Sequence, residues 1–122
     1  MPFAPSILEE RADDYLVNPK SIDARFMAIG LDSTDLGKQH LSAGLHPFDQ
    51  SARPQIVKKE DNAAYHALIQ AFERLTGVGA VLNTSFNIHG EPIVCTPSDA
   101  FDTFSRCGLK HLIIGDYLVS KI

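Results

Sequence analysis

The stretch from Asp61 to Asn87 constrains the fold more than any other part of the chain. Tyr65, Leu68, Ile69, Phe72 and Leu75 recur at helical spacing, Gly77 stands where a helix ends in a left-handed residue, and Ala80, Val81 and Leu82 follow as a short apolar run. A helix closed by glycine and followed at once by a buried strand has to lie against that strand's sheet, which commits the chain to layers of helix on sheet. The strand then runs into Asn83, Thr84, Ser85 and Asn87, hydrogen-bonding side chains close together. A polar loop at a strand's end is held by a rigid scaffold while open to solvent, so it suits phosphate or carbonyl oxygens. The same residue types also end strands simply by bonding their own backbone, and spacing alone does not separate the two readings. His66 and Glu73 read as solvated positions on the helix.

Local signals supply the remaining elements. Ser6-Ile-Leu-Glu9 has the form of a capping box, which predicts a helix through about Leu16 with Leu8, Ala12, Tyr15 and Leu16 on its buried face. Arg25 to Ile29 reads as a strand, and Gly30 to Leu45, polar and poorly periodic, as a long mobile connection. A second strand is expected near Gln55 to Val57, with Pro54 confining its start to an edge or an irregular position. Thr96-Pro-Ser-Asp99 marks a helix start, with Ala100, Phe101, Phe104 and Cys107 as its apolar stripe and Gly108 as its end. Leu112 to Ile114 and Tyr117 to Val119 flank a Gly115-Asp116 turn as two strands of one sheet. The sum is an α+β domain with helices over a mixed sheet of about five strands.

A chain of 122 residues with 44% hydrophobic and 21% charged residues is expected to fold as one soluble domain over residues 1–122. No apolar stretch approaches the roughly 18 residues of a membrane span, and the opening lacks a basic, apolar leader, so the expectation is a cytoplasmic protein without membrane contact. A net charge of −4 argues against a broad nucleic-acid footprint, though one or two local cations suffice for a small anion. Cys95 and Cys107 read as small hydrophobes. His40, His46, His66, His89 and His111 show no metal-ligand spacing, and no metal site is expected.

Several segments together resemble one family. Residues 82–94 (Leu-Asn-Thr-Ser-Phe-Asn-Ile-His-Gly-Glu-Pro-Ile-Val), 96–100 (Thr-Pro-Ser-Asp-Ala), 114–118 (Ile-Gly-Asp-Tyr-Leu) and Lys121 are similar to the C-terminal domain of NodU/CmcH-type O-carbamoyltransferases. Residues 2–6 (Pro-Phe-Ala-Pro-Ser) and 51–55 (Ser-Ala-Arg-Pro-Gln) resemble the same family in the same order. The resemblance implies a YrdC-like fold, a mixed twisted sheet flanked by helices, joined in the whole enzyme to a larger N-terminal domain of the Kae1 type. It implies formation of carbamoyl-adenylate from carbamoyl phosphate and ATP with Mg2+, and carbamoyl transfer to a hydroxyl acceptor in the larger domain, where iron is expected. The family's Ser-x-Asn pair matches Ser85-Phe-Asn87.

On this resemblance Arg53 and Asn87 are the catalytic candidates, and Arg53, Asn83, Thr84, Ser85 and Asn87 the residues that bind nucleotide or carbamoyl-adenylate. Adenylation develops charge on phosphate oxygens, which cations and fixed neutral donors stabilise. The Arg53 fork suits phosphate or carbamoyl oxygens, although an exposed arginine is commonly a surface ion pair. Ser85 is not placed beside a base and is not expected to act as a nucleophile. The family's upstream Lys and Arg have no counterpart here, since Met1 stands at the Arg position; the expectation is an isolated chain that is inactive or nearly so, either part of a longer enzyme or a short protein without activity. Gln50 and Ser51 replace the family's Gly and Thr, which puts that turn's geometry in question. Rival readings are a stand-alone nucleotide or carbamoyl phosphate-binding regulatory module, a tRNA-modifying YrdC relative, and a structural dimerisation domain.

Overall fold

Ala4-Pro-Ser-Ile-Leu8 forms a strand whose five residues are all buried, and the rest of the surrounding structure is arranged on its two faces. The computed structural model describes residues 3–122, and they divide into two compact units, one ending at Asn83 and the other spanning Thr84–Ile122. In chain order the first unit holds β1 (Ala4–Leu8), α1 (Ala12–Tyr15), β2 (Leu16–Val17), β3 (Asp32–Ser33), α2 (Asp35–His40), β4 (Gln55–Val57), α3 (Ala63–Thr76) and β5 (Ala80–Asn83). The second holds α4 (Pro97–Arg106), β6 (His111–Ile114) and β7 (Tyr117–Ser120). The architecture is α+β. Met1, at the position of the family's upstream Arg, and Pro2, which begins the family-like segment at residues 2–6, lie outside the described residues.

The main sheet is mixed and three-stranded, in the order β4-β1-β5. β1 runs parallel to β4, with Ser6 opposite Gln55 and Leu8 opposite Val57, and antiparallel to β5, with Ala4 opposite Asn83 and Ser6 opposite Val81. One face carries Leu8, Val57 and Val81 against Ile69 and Tyr65 of α3. The other carries Ile7 and Ala80 into the larger core of Tyr15, Leu16, Leu31, Leu41, Leu45 and Ala52. Pro5 sits one residue before the β4 ladder begins, where a missing N–H disrupts no bond to that strand. The expected sheet of about five strands is thus three strands, with β2–β3 and β6–β7 each forming a separate antiparallel pair.

The helix expected from Ser6 to Leu16 is replaced by β1, a 3-10 turn at Glu9–Arg11, one turn of α1, and β2. Ser6 is fully buried and bonds Gln55 across the sheet; long-range pairing on both sides overrides the local capping signal. Residues 25–29 form no strand. Met27 has φ +57°, which turns the chain away, and contact with the β4 segment consists of single bonds from the Met27 N–H to the Pro54 carbonyl and from the Ile56 N–H to the Ala24 carbonyl. The supposed mobile connection contains β3, α2 and a 3-10 turn at Ser42–Gly44, and it contributes Leu31, Leu41 and Leu45 to the core. Elements of two to six residues are too short to show a period, which is why they read as loop.

The long helix agrees in extent, with Asn62 capping through the Tyr65 N–H at 3.0 Å and Gly77 left-handed at φ +77°. Its buried face is narrower than expected: Ile69 and His66 are buried, whereas Leu68, Phe72 and Leu75 are exposed. His66 and Glu73 are not simply solvated. His66 Nε2 lies 3.0 Å from Glu10 Oε2, and the Arg11 guanidinium bonds Glu73, so both side chains pin α3 to the 3-10 turn after β1.

In the second unit, Thr96 and Asp99 form a reciprocal capping box and Pro97 occupies the first turn of α4. Ala100, Thr103 and Phe104 are buried, while Phe101 is exposed. Lys121 spans from the hairpin to the helix, its Nζ donating to the Cys107 carbonyl at 2.5 Å and lying 4.8 Å from the centre of the Phe104 ring. Gly115 takes φ +57° in the β6–β7 turn, as the Gly-Asp signal predicts. Cys107, expected on the apolar stripe of α4, is half-buried, and Cys95 is exposed.

Candidate functional site

The candidate residues fall in both units: Arg53 and Asn83 in the first, Thr84, Ser85 and Asn87 in the second. Each group is held by the elements of its own unit.

Asn83 is the last residue of β5, opposite Ala4 of the central strand. Its Nδ2 donates to Gln55 Oε1 at 2.8 Å and faces Met27 Sδ at 3.6 Å. Gln55 Oε1 also accepts from Ser6 Oγ at 2.7 Å. Side chains of β4, β1 and β5 therefore meet on one face of the sheet, and three of the family-like segments each contribute one member. Sequence reading passed over Ser6, treated as a helix cap, and Gln55, quoted in a motif without a role. The available signal was parity: once two strands are paired, residues opposite one another share a face.

Arg53 precedes Gln55 by two residues, so in the parallel register it stands at the same end of the sheet as Ala4 and Asn83. It is exposed, and among the described residues no carboxylate pairs with it. Among the described residues the surface ion pair that commonly occupies an arginine is not formed at Arg53. The turn ahead of it is well made despite Gln50. The Gln50 N–H donates to the His46 carbonyl at 2.8 Å, the Ser51 N–H to Asp49 Oδ1 at 2.9 Å, and Ser33 Oγ to the Gln50 carbonyl at 2.8 Å. Gln50 takes φ +57°, the conformation that glycine adopts without strain. The Asp49 carboxyl is held below its usual range, chiefly by hydrogen bonding from the Ser51 backbone N–H.

The loop of the second unit is tied by its own side chains. Thr84 Oγ1 accepts from the Phe86 N–H at 3.2 Å, and Phe86 has φ +49°, an unusual conformation for an aromatic residue that re-aims the chain between Ser85 and Asn87. Ser85 Oγ donates to Asn87 Oδ1. Asn87 Nδ2 in turn donates to the Glu91 carbonyl at 2.8 Å. Thr84 and Ser85 are exposed and Asn87 is half-buried. Glu91 is fixed from behind by the Arg106 guanidinium, which also bonds Asp102 at 2.7 Å; this hydrogen bonding holds the Glu91 carboxyl below its usual range and raises the Arg106 value. The Ser-x-Asn pair is therefore a single hydrogen-bonded device. Exposed His89 is not bonded to it. Among the described residues no three His, Cys, Asp or Glu side chains converge to hold a metal, and no helix is long and apolar enough to cross a membrane.

A family model described as "Carbamoyltransferase C-terminus" matches residues 1–121. The chain belongs to the carbamoyltransferase C-terminal family. An uncharacterized protein of Methanocaldococcus jannaschii is 39% identical over 122 residues, covering 100% of this chain and 23% of that protein. The nodulation protein NolNO of Sinorhizobium fredii is 41% identical over 121 residues, covering 98% of this chain and 18% of the relative. A 3'-hydroxymethylcephem-O-carbamoyltransferase of Amycolatopsis lactamdurans is 37% identical over 68 residues, 56% of this chain and 13% of the relative. The chain spans about a fifth of the length of the first two relatives, 23% and 18%. The carbamoyltransferase family domain thus carries the NodU/CmcH-type segments in the order read from sequence.

Proposed function

We propose that residues 1–122 are the YrdC-like C-terminal domain of a cytoplasmic O-carbamoyltransferase, and that the domain forms carbamoyl-adenylate from carbamoyl phosphate and ATP with Mg2+. Transfer of the carbamoyl group to a hydroxyl acceptor is assigned to a Kae1-like N-terminal domain with its iron. The observation that carries this reading is the family match over residues 1–121, whose Ser-x-Asn pair forms one hydrogen-bonded unit in an exposed loop.

The chemistry assigned to the chain's own residues is binding and charge stabilisation. Arg53, without a carboxylate partner among the described residues, supplies a cation for phosphate oxygens as pyrophosphate departs. Ser85 Oγ donates a hydrogen bond to Asn87 Oδ1; a ligand oxygen would accept that hydrogen bond in place of Asn87 Oδ1, exchanging an internal bond for one to the ligand. Asn87 remains anchored through the Glu91 carbonyl during that exchange, which keeps the loop in place without a large ordering penalty. Thr84 holds the turn through the Phe86 N–H rather than through the ligand.

The test is carbamoyl phosphate-dependent exchange of labelled pyrophosphate into ATP, measured on the full-length gene product. Asn87→Ala and Arg53→Ala are each expected to lower the exchange rate by about a hundredfold, the scale typical of removing one donor that stabilises transition-state charge. Unchanged exchange in Asn87→Ala rejects the assignment of this loop.

A further inference from the structure

The bonds around Asn83 determine which end of its side chain a ligand meets. A carboxamide has two nearly isosteric ends, and a partner that can only accept identifies the nitrogen. Met27 Sδ is such a partner: a thioether has no proton to donate, so the Asn83 terminus facing it at 3.6 Å is the NH2. The same nitrogen lies 2.8 Å from the Gln55 side chain, so Gln55 presents its oxygen there. The same oxygen lies 2.7 Å from Ser6 Oγ, so the Ser6 hydroxyl is the donor. Ser6 is fully buried, which fixes the network from the centre of the sheet.

Both N–H bonds of Asn83 are thereby directed to protein atoms. Oδ1 remains, and among the described residues no group donates to it. A residue in this state does not donate to phosphate. It accepts, so it recognises a ligand that carries an N–H. Two groups in the proposed reaction have that chemistry, the carbamoyl NH2 and the adenine 6-amino group. Arg53, a cation suited to phosphate, stands at the same end of the sheet as Asn83 with β1 between their strands, about 10 Å apart by strand spacing. A small molecule with an amide end and an anionic end matches this arrangement.

We propose that Asn83 is a specificity residue that accepts a hydrogen bond from the carbamoyl NH2, and that Gln55, backed by Ser6, is the positioning residue that keeps its oxygen toward the ligand. The proposal rests on the carbamoyl-adenylate function above. It explains why Gln55, on the edge strand β4 of this polar row, accepts from both Ser6 and Asn83.

The experiment compares carbamoyl phosphate with acetyl phosphate, which replaces NH2 by a methyl group, and ATP with inosine triphosphate, by calorimetric titration of the full-length gene product. The unsubstituted protein is expected to prefer carbamoyl over acetyl phosphate by about tenfold, the scale of one well-made hydrogen bond. Asn83→Ala should bring that ratio close to one and leave the ATP-to-inosine triphosphate ratio unchanged. Gln55→Met should reduce the preference, and Gln55→Glu, which keeps an oxygen for both Ser6 and Asn83, should restore it; a merely structural role would not move the ratio. In the 122-residue chain the Asn83 side-chain amide protons should exchange slowly with solvent and speed up in Gln55→Met. A full preference in Asn83→Ala, or a change confined to the ATP-to-inosine triphosphate ratio, overturns the proposal while leaving the carbamoyl function standing. Protected Asn83 amide protons with no binding of either acyl phosphate reject the function and the proposal together.

Discussion

Gln50 shows how much a single backbone angle can carry. Its φ of +57° costs a non-glycine residue about 1–2 kcal/mol in the left-handed region, yet three hydrogen bonds from Gln50, Ser51 and Ser33 hold the turn that leads into Arg53. Glycine relieves that strain but adds freedom to the unfolded chain, so Gln50→Gly is expected to stabilise the protein by up to about 1 kcal/mol in urea denaturation. A lowered midpoint would mean that the Gln50 side chain contributes more than its conformation costs. At this scale the sequence was informative about residue types and poor about their bonds. Asn83, Thr84, Ser85 and Asn87 were visible as a polar cluster, but the division of labour was not: Thr84 braces a turn, Ser85 and Asn87 bond each other, and Asn83 belongs to a row across the sheet. That row depends on strand register, which adjacent residues do not encode.

Short elements are held by close approach. α2 reaches α1 through Gly37, where an added Cβ would stand 2.2 Å from the Tyr15 carbonyl oxygen. That oxygen also accepts the Thr34 N–H at 3.0 Å, and Thr34 Oγ1 caps α2 through the Gly37 N–H at 3.0 Å. Neither backbone can retreat without opening the core around fully buried Tyr15, whose hydroxyl accepts from the Gly79 N–H at 3.0 Å. Gly37→Ala is therefore expected to destabilise by about 1–3 kcal/mol, read as a lower denaturation midpoint; a change below 0.5 kcal/mol would refute the tight contact. Elements with strong punctuation were legible: α3 between Asn62 and Gly77, α4 from its Thr96–Asp99 box, and the Gly115 hairpin. β1 was missed because Ser6 and Glu9 imitate a capping box while burial on both faces removes the alternation that marks a strand. α2 was missed for lack of length.

Across the whole molecule, stability is unevenly spread. β1 is buried throughout and paired on both sides, whereas β6–β7 is a two-stranded ribbon with Ile113, Tyr117 and Leu118 largely exposed. Amide hydrogen exchange is expected to be slowest at Ile7 and Leu8 and much faster in the hairpin, because opening the central strand requires dismantling both cores of its unit. Slower exchange in β6–β7 than in β1 would contradict this ordering. The position of β1 in the chain has a further consequence for synthesis on the ribosome. Ala4 pairs with Asn83, so the central strand is made long before its antiparallel neighbour exists. Until β5 emerges, one edge of an apolar strand has no partner, and the sheet must close a loop almost as long as the unit itself. The strand that anchors the candidate site is thus made before every other strand of its unit and is among the last to be completed, and the nascent unit depends on that interval passing without a competing strand taking its place.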